Sequence, residues 1–422
     1  MTIRITPTQL ADGREFFYFD DSPDYAAGRL TRRLDDPRPL TQRDAPFTDP
    51  ATGALGQPTA PEMRFDQLTG EWIPMASQRM NRTFMPGAGS CPLCPANPEA
   101  DYHGGEIPDT DYDVVVFENR FPSFWRPAGT DLDSQWTLDP GGLFKVRNAA
   151  GRCEVICFSP NHAAELASVS EQRMRTIIEA WAVRTAELQQ LDGIAQVYPF
   201  ENRGAEVGVT LTHPHGQIYA YPFITPKTAA MMRQARQYQE QTGRKLLQDV
   251  LDAELAGPRV VAASQHWAAY VPAAARWPVE VHVAPLRDVP DLPSLTAAER
   301  DDLAGFYLRL LGGLDRYFAA DAAPDAAAEV AEVGVDAPAA MPLPYMAGWH
   351  QAPVDPELRP LGRLHLQLFS IRRAPDKLKY LASSESGMGA WISDTTPERI
   401  ADRLRAALAQ VTPNSETGTS PS

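Results

Sequence analysis

Two stretches of this chain share one grammar, and that repetition restricts the folds open to it more than any other feature. Val155-Ile156-Cys157-Phe158-Ser159-Pro160 runs toward the box Ser168-Val169-Ser170-Glu171, and Val281-His282-Val283-Ala284-Pro285 runs toward the box Thr296-Ala297-Ala298-Glu299. In both, β-branched residues end at a proline. A Ser or Thr with Glu three residues on can then satisfy the orphan N–H groups of a helix's first turn. Helices are expected from the first box toward Leu191 and from the second to about Phe318. Each is followed by a similar strand, His215-Gly216-Gln217-Ile218-Tyr219 in one case and His365-Leu366-Gln367-Leu368-Phe369 in the other. The chain therefore reads as two α+β halves of similar layout, with a complete active motif only in the first.

Short runs bounded by Gly, Pro, Asn or Ser mark the remaining strands. They are Asp113–Glu118, Glu154–Phe158, Ala195–Phe200 and Val207–Phe223, then His266–Val271, Val279–Ala284, Tyr345–Trp349 and Arg363–Ser370. A further helical stretch covers Ala229 to Leu255 and stops at Gly257-Pro258. The organisation expected is an irregular N-terminal extension over 1–60, a catalytic half over 61–225, a C-terminal half over 226–410 and a disordered tail over 411–422. An Ala/Pro/Asp stretch from Ala319 to Ala340 reads as a flexible insertion. The net charge of −15 argues against a nucleic-acid partner, and no apolar run is long enough to cross a membrane. The N-terminus shows no secretory h-region, and four cysteines in 422 residues fit a reducing compartment, so the cytoplasm is expected.

The chemistry concentrates in Thr212-His213-Pro214-His215-Gly216-Gln217. On an extended segment alternate side chains share a face, so His213, His215 and Gln217 would lie together. One imidazole can then ligate a metal while the other attacks as a neutral nucleophile. Cys91-Pro92-Leu93-Cys94 reads as a redox pair, a zinc half-site or chance; the loop-like Pro and Gly around it disfavour the redox reading. A zinc site needs two more ligands, for which His162 and His213 are the candidates. Gln217 can donate to a phosphoryl oxygen but cannot act as a base for water, which favours transfer over hydrolysis and a leaving group that needs little acid help. Arg79, Arg82, Asn202, the Gly204–Gly208 turn and Thr210 are candidate donors for phosphate oxygens.

With these blocks in order along residues 65–395, the chain resembles the galactose-1-phosphate uridylyltransferases, a branch of the histidine-triad superfamily. The resemblance rests on Gly70-Glu71-Trp72-Ile73-Pro74, Cys91 to Cys94, Val115 to Asn119, Val155 to His162, Phe200 to Gly204 and His213 to Gln217. Tyr345 to Pro353 and Lys379 to Met388 extend it. It implies two similar histidine-triad-like halves, each an antiparallel sheet packed with helices. It also implies ping-pong exchange of UMP between UDP-glucose and galactose 1-phosphate, yielding UDP-galactose, through a uridylyl group on His215. By the same resemblance Cys91, Cys94, His162 and His213 ligate one structural zinc, and Gln217 contacts the phosphoryl group. Arg79, Asn119, Asn202, Gly208 and Thr210 fall at nucleotide-sugar contacts, Lys379 and Glu385 at phosphate and hexose contacts. A homodimer whose active sites borrow residues across subunits is implied too.

Three departures from the family stand out. Some relatives carry a second, iron-type site of one glutamate and three histidines. Here His350 and His365 match two of the histidines, Gln367 stands for the third and Met231 for the glutamate, a poor donor set for iron. Arg120 follows Asn119 where relatives may carry an acid, and Ser384 stands where some have tyrosine. A nucleotidyltransferase or phosphorylase of the same architecture, acting on ADP-sugars or dinucleoside polyphosphates, is the alternative enzyme reading. A zinc-stabilised binding module without catalysis is the third.

Overall fold

The eight strands marked out in the two halves join with three more into one antiparallel sheet of eleven. In this computed structural model residues 2–38, 47–48, 55–56, 61–76, 86–97, 105–127, 129–319 and 342–411 are described. Arg79, Arg82, nearly all of the 319–340 stretch and residues 412–422 lie outside them. The strands are β1 (Arg4–Gln9), β2 (Glu15–Asp20), β3 (Val114–Glu118), β4 (Arg152–Cys157), β5 (Gln196–Arg203), β6 (His215–Tyr221), β7 (Val260–Ala263), β8 (Trp267–Tyr270), β9 (Val279–Pro285), β10 (Tyr345–His350) and β11 (His365–Ser370). Their order across the sheet is β1-β2-β3-β4-β6-β5-β10-β11-β9-β8-β7. The principal helices are α1 (Glu171–Leu188), α2 (Pro226–Thr242), α3 (Leu246–Leu255), α4 (Ala297–Leu314) and α5 (Pro397–Ala409).

The duplication is explicit in this order. β3-β4-α1-β5-β6 and β8-β9-α4-β10-β11 each wind a strand pair, a helix and a second strand pair, and in each the last strand inserts beside the second. The halves meet where β5 pairs with β10, Phe200 opposite Gly348 and Asn202 opposite Met346. One sheet face is covered by α1, α4 and α5. Ile177 and Trp181 of α1 and Leu303 and Leu311 of α4 bury themselves in one core with Ile156, Ile218 and Leu368. Trp349 anchors its centre, with ring centroids 6.2 Å from Trp181 and 5.9 Å from Trp267. The opposite face carries the histidines of both halves.

Four expectations need correction. Residues 1–60 are not irregular throughout. The alternating aromatics of Glu15-Phe16-Phe17-Tyr18-Phe19-Asp20 make β2, which pairs with β3, and β1 extends the edge. Arg173 of α1 clamps the end of this pair through Asp21 at 2.8 Å and Asp113 at 2.8 Å. The charged residues around β2 had masked a strand pattern of period two. Helix α1 is capped by Ser170, which accepts from the Arg173 N–H, and Ser168 closes a preceding short turn instead. The 229–255 stretch breaks in two because Gly243 adopts a left-handed φ of 70°, which glycine takes at least cost. The strand expected from Val207 begins only at His215, since Gly208 is also left-handed (φ 80°) and Pro214 cannot donate to a ladder.

Candidate active site and metal centre

β6 places the chemistry by its pleat. His215, Gln217 and Tyr219 share one face, opposite Cys157, Val155 and Cys153 of β4. Ile218 and Ala220 face the helix-side core. Gly216 is obligatory in this register: a Cβ there would lie 2.8 Å from the Phe158 ring and 2.9 Å from the Phe200 carbonyl oxygen, which belongs to the backbone of β5. The strand thus keeps its two functional side chains on one side by having none between them.

His213 does not share that face. It precedes β6, is buried, and joins Cys91, Cys94 and His162 in a set whose ligand atoms all lie within 4.8 Å of one another. Cys94 Sγ is 3.4 Å from His162 Nδ1 and 3.5 Å from His213 Nδ1. A tetrahedral ion with bonds of about 2.3 Å to sulfur and 2.0 Å to nitrogen has edges of about 3.5 Å, so the spacing fits. The outer nitrogens are oriented as ligands require. His213 Nε2 donates to the Ser159 carbonyl at 2.9 Å with the Tyr112 hydroxyl 2.8 Å away, and His162 Nε2 lies 3.1 Å from Thr212 Oγ1. Burial holds His213 down at about 4, keeping it the neutral donor that a metal takes. Burial and the neighbouring Cys91 push the Cys94 thiol up to about 12, as for two thiols that ionise together only around a cation. Tyr112, Ser159 and Thr212 were not picked out from the sequence. Only their adjacency to the ligands in the fold reveals them, although Ser159 and Thr212 are near neighbours of His162 and His213 in the chain.

His215 lines a cleft of about 310 Å³ together with Asn202, the Gly204–Glu206 turn, Val209 and Leu211. Its Nδ1 lies 2.8 Å from the carbonyl oxygen of His213, which can only accept. The proton therefore sits on Nδ1, and in the neutral ring Nε2 carries the lone pair. Gln217 stands next on the same face, and its Oε1 is buried with no hydrogen-bond partner among the described residues. A buried amide oxygen without a partner is an exception among native polar groups. Gly208 and Thr210 lie on the loop leading into β6, between cleft-lining neighbours. Asn119 follows β3 and spends its Oδ1 on the Phe121 N–H at 2.9 Å. The Arg120 guanidinium approaches Glu106 at 3.7 Å. Lys379 and Glu385 do not line this cleft. They face each other at 3.8 Å on the segment after β11, with Asp394 3.3 Å from the lysine.

The counterpart of β6 in the second half is β11. His365 Nδ1 bonds the Arg363 carbonyl at 3.0 Å as His215 does that of His213. Beside it an apolar cavity of about 330 Å³ is lined by Met231, Leu247, Leu251, His282, His365 and Gln367, among others. Among the described residues no third ligand gathers with His350 and His365. Among the described residues the Cys₂His₂ set alone gathers three or more such donors. His350 and His365 are instead stacked, 9° from parallel with centroids 5.0 Å apart. His365 Nε2 meets the Gln367 amide at 3.1 Å. The residues present do not fit a second metal ion.

Comparison with known proteins agrees with this arrangement. The family models described as the N-terminal and C-terminal domains of galactose-1-phosphate uridyl transferase match residues 55–225 and 231–413. A galactose-1-phosphate uridylyltransferase of Streptomyces lividans is 40% identical over 413 residues, 95% of this chain and 97% of that one. One from Thermotoga maritima is 30% identical over 352 residues, 83% of this chain and 99% of that one. A solved structure described as a uridylyltransferase is similar with a TM-score of 0.68 at 30% identity, covering 83% of this chain and 99% of that one. An ADP-glucose phosphorylase from Arabidopsis thaliana, 22% identical with a TM-score of 0.57 over 84% of this chain and all of its own, shares the fold.

Proposed function

The chain belongs to the galactose-1-phosphate uridylyltransferase family, and on that premise we propose which of its residues perform the exchange and how. The protein is a UDP-glucose–hexose-1-phosphate uridylyltransferase of galactose metabolism, acting in the Leloir pathway. His215 is the nucleophile. Its Nε2 lone pair attacks the α-phosphorus of UDP-glucose, a P–N bond forms, and the bond to the β-phosphate oxygen breaks. Glucose 1-phosphate departs with the electron pair. A phosphate oxygen of galactose 1-phosphate then attacks the same phosphorus, the P–N bond breaks, and UDP-galactose leaves. Gln217, with its amide turned to present N–H, holds a non-bridging oxygen in both steps and withholds any base from water.

The observation that carries this reading is the Nδ1–H of His215 fixed on the His213 carbonyl, which commits Nε2 to the cleft-side chemistry. Cys91, Cys94, His162 and His213 would hold one zinc ion, whose contribution is to fix the strand ends beside the nucleophile. Arg79, Arg82, Asn119, Asn202, Gly208 and Thr210 contact the nucleotide sugar by analogy with the family. Lys379 and Glu385 serve the partner's cleft in a homodimer. Support for that is the apolar surface around them, with Tyr380, Met388 and Ile392 exposed at 77%, 83% and 57%. Residues 61–225 form the catalytic half and 226–410 the second half. No described helix is long and apolar enough to cross a membrane; we place the enzyme in the cytoplasm.

The test is to trap the intermediate. Incubation with UDP-glucose and no acceptor should leave UMP on one histidine, mapped by peptide mass spectrometry to His215. The His215→Gly variant should fold and keep its metal yet lose exchange by a factor on the order of 10⁴ or more. UMP found on another residue, or full exchange by His215→Gly, would end the assignment.

A further inference from the structure

The first turn of α2 reaches toward β11 with a lysine. Lys227 Nζ donates to Gln367 Oε1, and the same amide's nitrogen meets His365 Nε2 at 3.1 Å. His365 then passes the chain to the Arg363 carbonyl at 3.0 Å. Gln367 is buried and lies across from His282 on β9 and Gly348 on β10, so the contact falls among His282, His350 and His365. Burial lowers the pKa of the Lys227 ammonium, partly offset by Glu280, whose carboxylate binds His282 Nε2 at 3.1 Å. The stem of Lys227 is exposed; its amine end points inward.

The resemblance places an iron-type site of some relatives at these histidines, and α2 supplies something different there. Met231, which stands at the relatives' glutamate position, lies four residues beyond Lys227, on the same face of α2 one turn away. The face that would supply an anionic ligand supplies instead a cation. Helix dipole does not account for it. The N-terminus is the wrong end for a positive charge. The imidazoles are suited to neutral hydrogen bonding, since burial takes His365 down to about 3 and lowers His350 as well.

We propose that the Lys227 ammonium is the built-in cation of the second half, tying α2 to β11 through Gln367 in the place of a metal ion. The second half is then independent of metal, and the protein's metal requirement resides wholly in the Cys₂His₂ centre. The inference concerns architecture, and it holds whether or not His215 carries the uridylyl group.

The experiment loads the full-length protein with Fe²⁺ and Zn²⁺, desalts it, and measures metal per chain by plasma mass spectrometry alongside thermal melting. Wild type should retain a single equivalent, and Lys227→Met the same, with its Tm lowered by about 2–4 °C. Lys227→Arg should hold the wild-type Tm. Combining Lys227→Ala with Met231→Glu and Gln367→His should admit a second equivalent. The proposal is overturned by a second tight equivalent in wild type that His365→Ala abolishes. An unchanged Tm in Lys227→Met overturns it equally, because metal content and melting are read without reference to activity.

Discussion

His213 and His215 each donate to a carbonyl oxygen, and they differ in which nitrogen does so. His213 uses Nε2 on Ser159, with Nδ1 toward the metal set; His215 uses Nδ1 on His213, which puts the ring's lone pair on Nε2. Two identical side chains are thus held as opposite tautomers by their acceptors. A third titratable group, Glu201, sits on the wall of the same cleft. Burial, only partly offset by the Tyr345 hydroxyl at 2.8 Å and by Arg203, raises its carboxyl to about 7 from an ordinary 4.5. Between those values the folded protein holds a proton that the unfolded chain has released. The stability from this group is therefore complete below about pH 4.5 and is lost as pH rises through about 7, up to something on the order of 3 kcal/mol. Glu201→Gln should accordingly gain on wild type as urea unfolding is moved from pH 5 to pH 8. An advantage that is the same at both pH values would show that the carboxyl ionises normally.

At the scale of elements, the metal set links a loop, a strand exit and a strand entrance. Cys91 and Cys94 come from the loop before β3, His162 from just beyond β4, and His213 from just before β6. With that ligand set, Cys91→Ser should lose most of its bound metal. We expect its Tm to fall by at least about 5 °C, and exchange activity to fall with it. Metal content equal to wild type would remove Cys91 from the ligand set. Much of this was legible beforehand, and for a physical reason. Ligand spacing, proline-bounded β-branched runs and the Thr296–Glu299 capping box are local signals, and that box forms as read. What was missed is non-local or composite. β2 was hidden by acidic and proline-rich surroundings, the Gly243 break needed a backbone angle, and the face of His213 depended on where β6 starts. The partners Tyr112 and Ser159 are 47 residues apart in sequence and meet only in the fold.

At the scale of the whole molecule, duplication and specialisation have separated. Both halves keep the strand order and the histidine whose Nδ1 bonds a carbonyl two residues back, but among the described residues only the first adds a metal-ligand set, and it alone has a glycine after that histidine. The second half adds Pro342, Leu343 and Pro344 to the wall of the His215 cleft and carries a polar cluster of its own. Its segment after β11 sets Lys379 against Asp394 and Glu385 and leaves apolar side chains outside. If those polar groups complete the cleft of a second copy, two defective chains can repair each other. Co-expressing His215→Gly with Lys379→Ala makes half of the dimers mixed under random pairing. In each mixed dimer one of two clefts combines an intact His215 with an intact Lys379 from across the interface. About a quarter of wild-type exchange should return, against almost none from either variant alone. Were both residues to serve the same chain's cleft, every site would carry one lesion and the mixture would stay inactive. Separating the mixed species by orthogonal affinity tags before assay, with its mass measured by light scattering, makes the distinction independent of how evenly the chains are expressed.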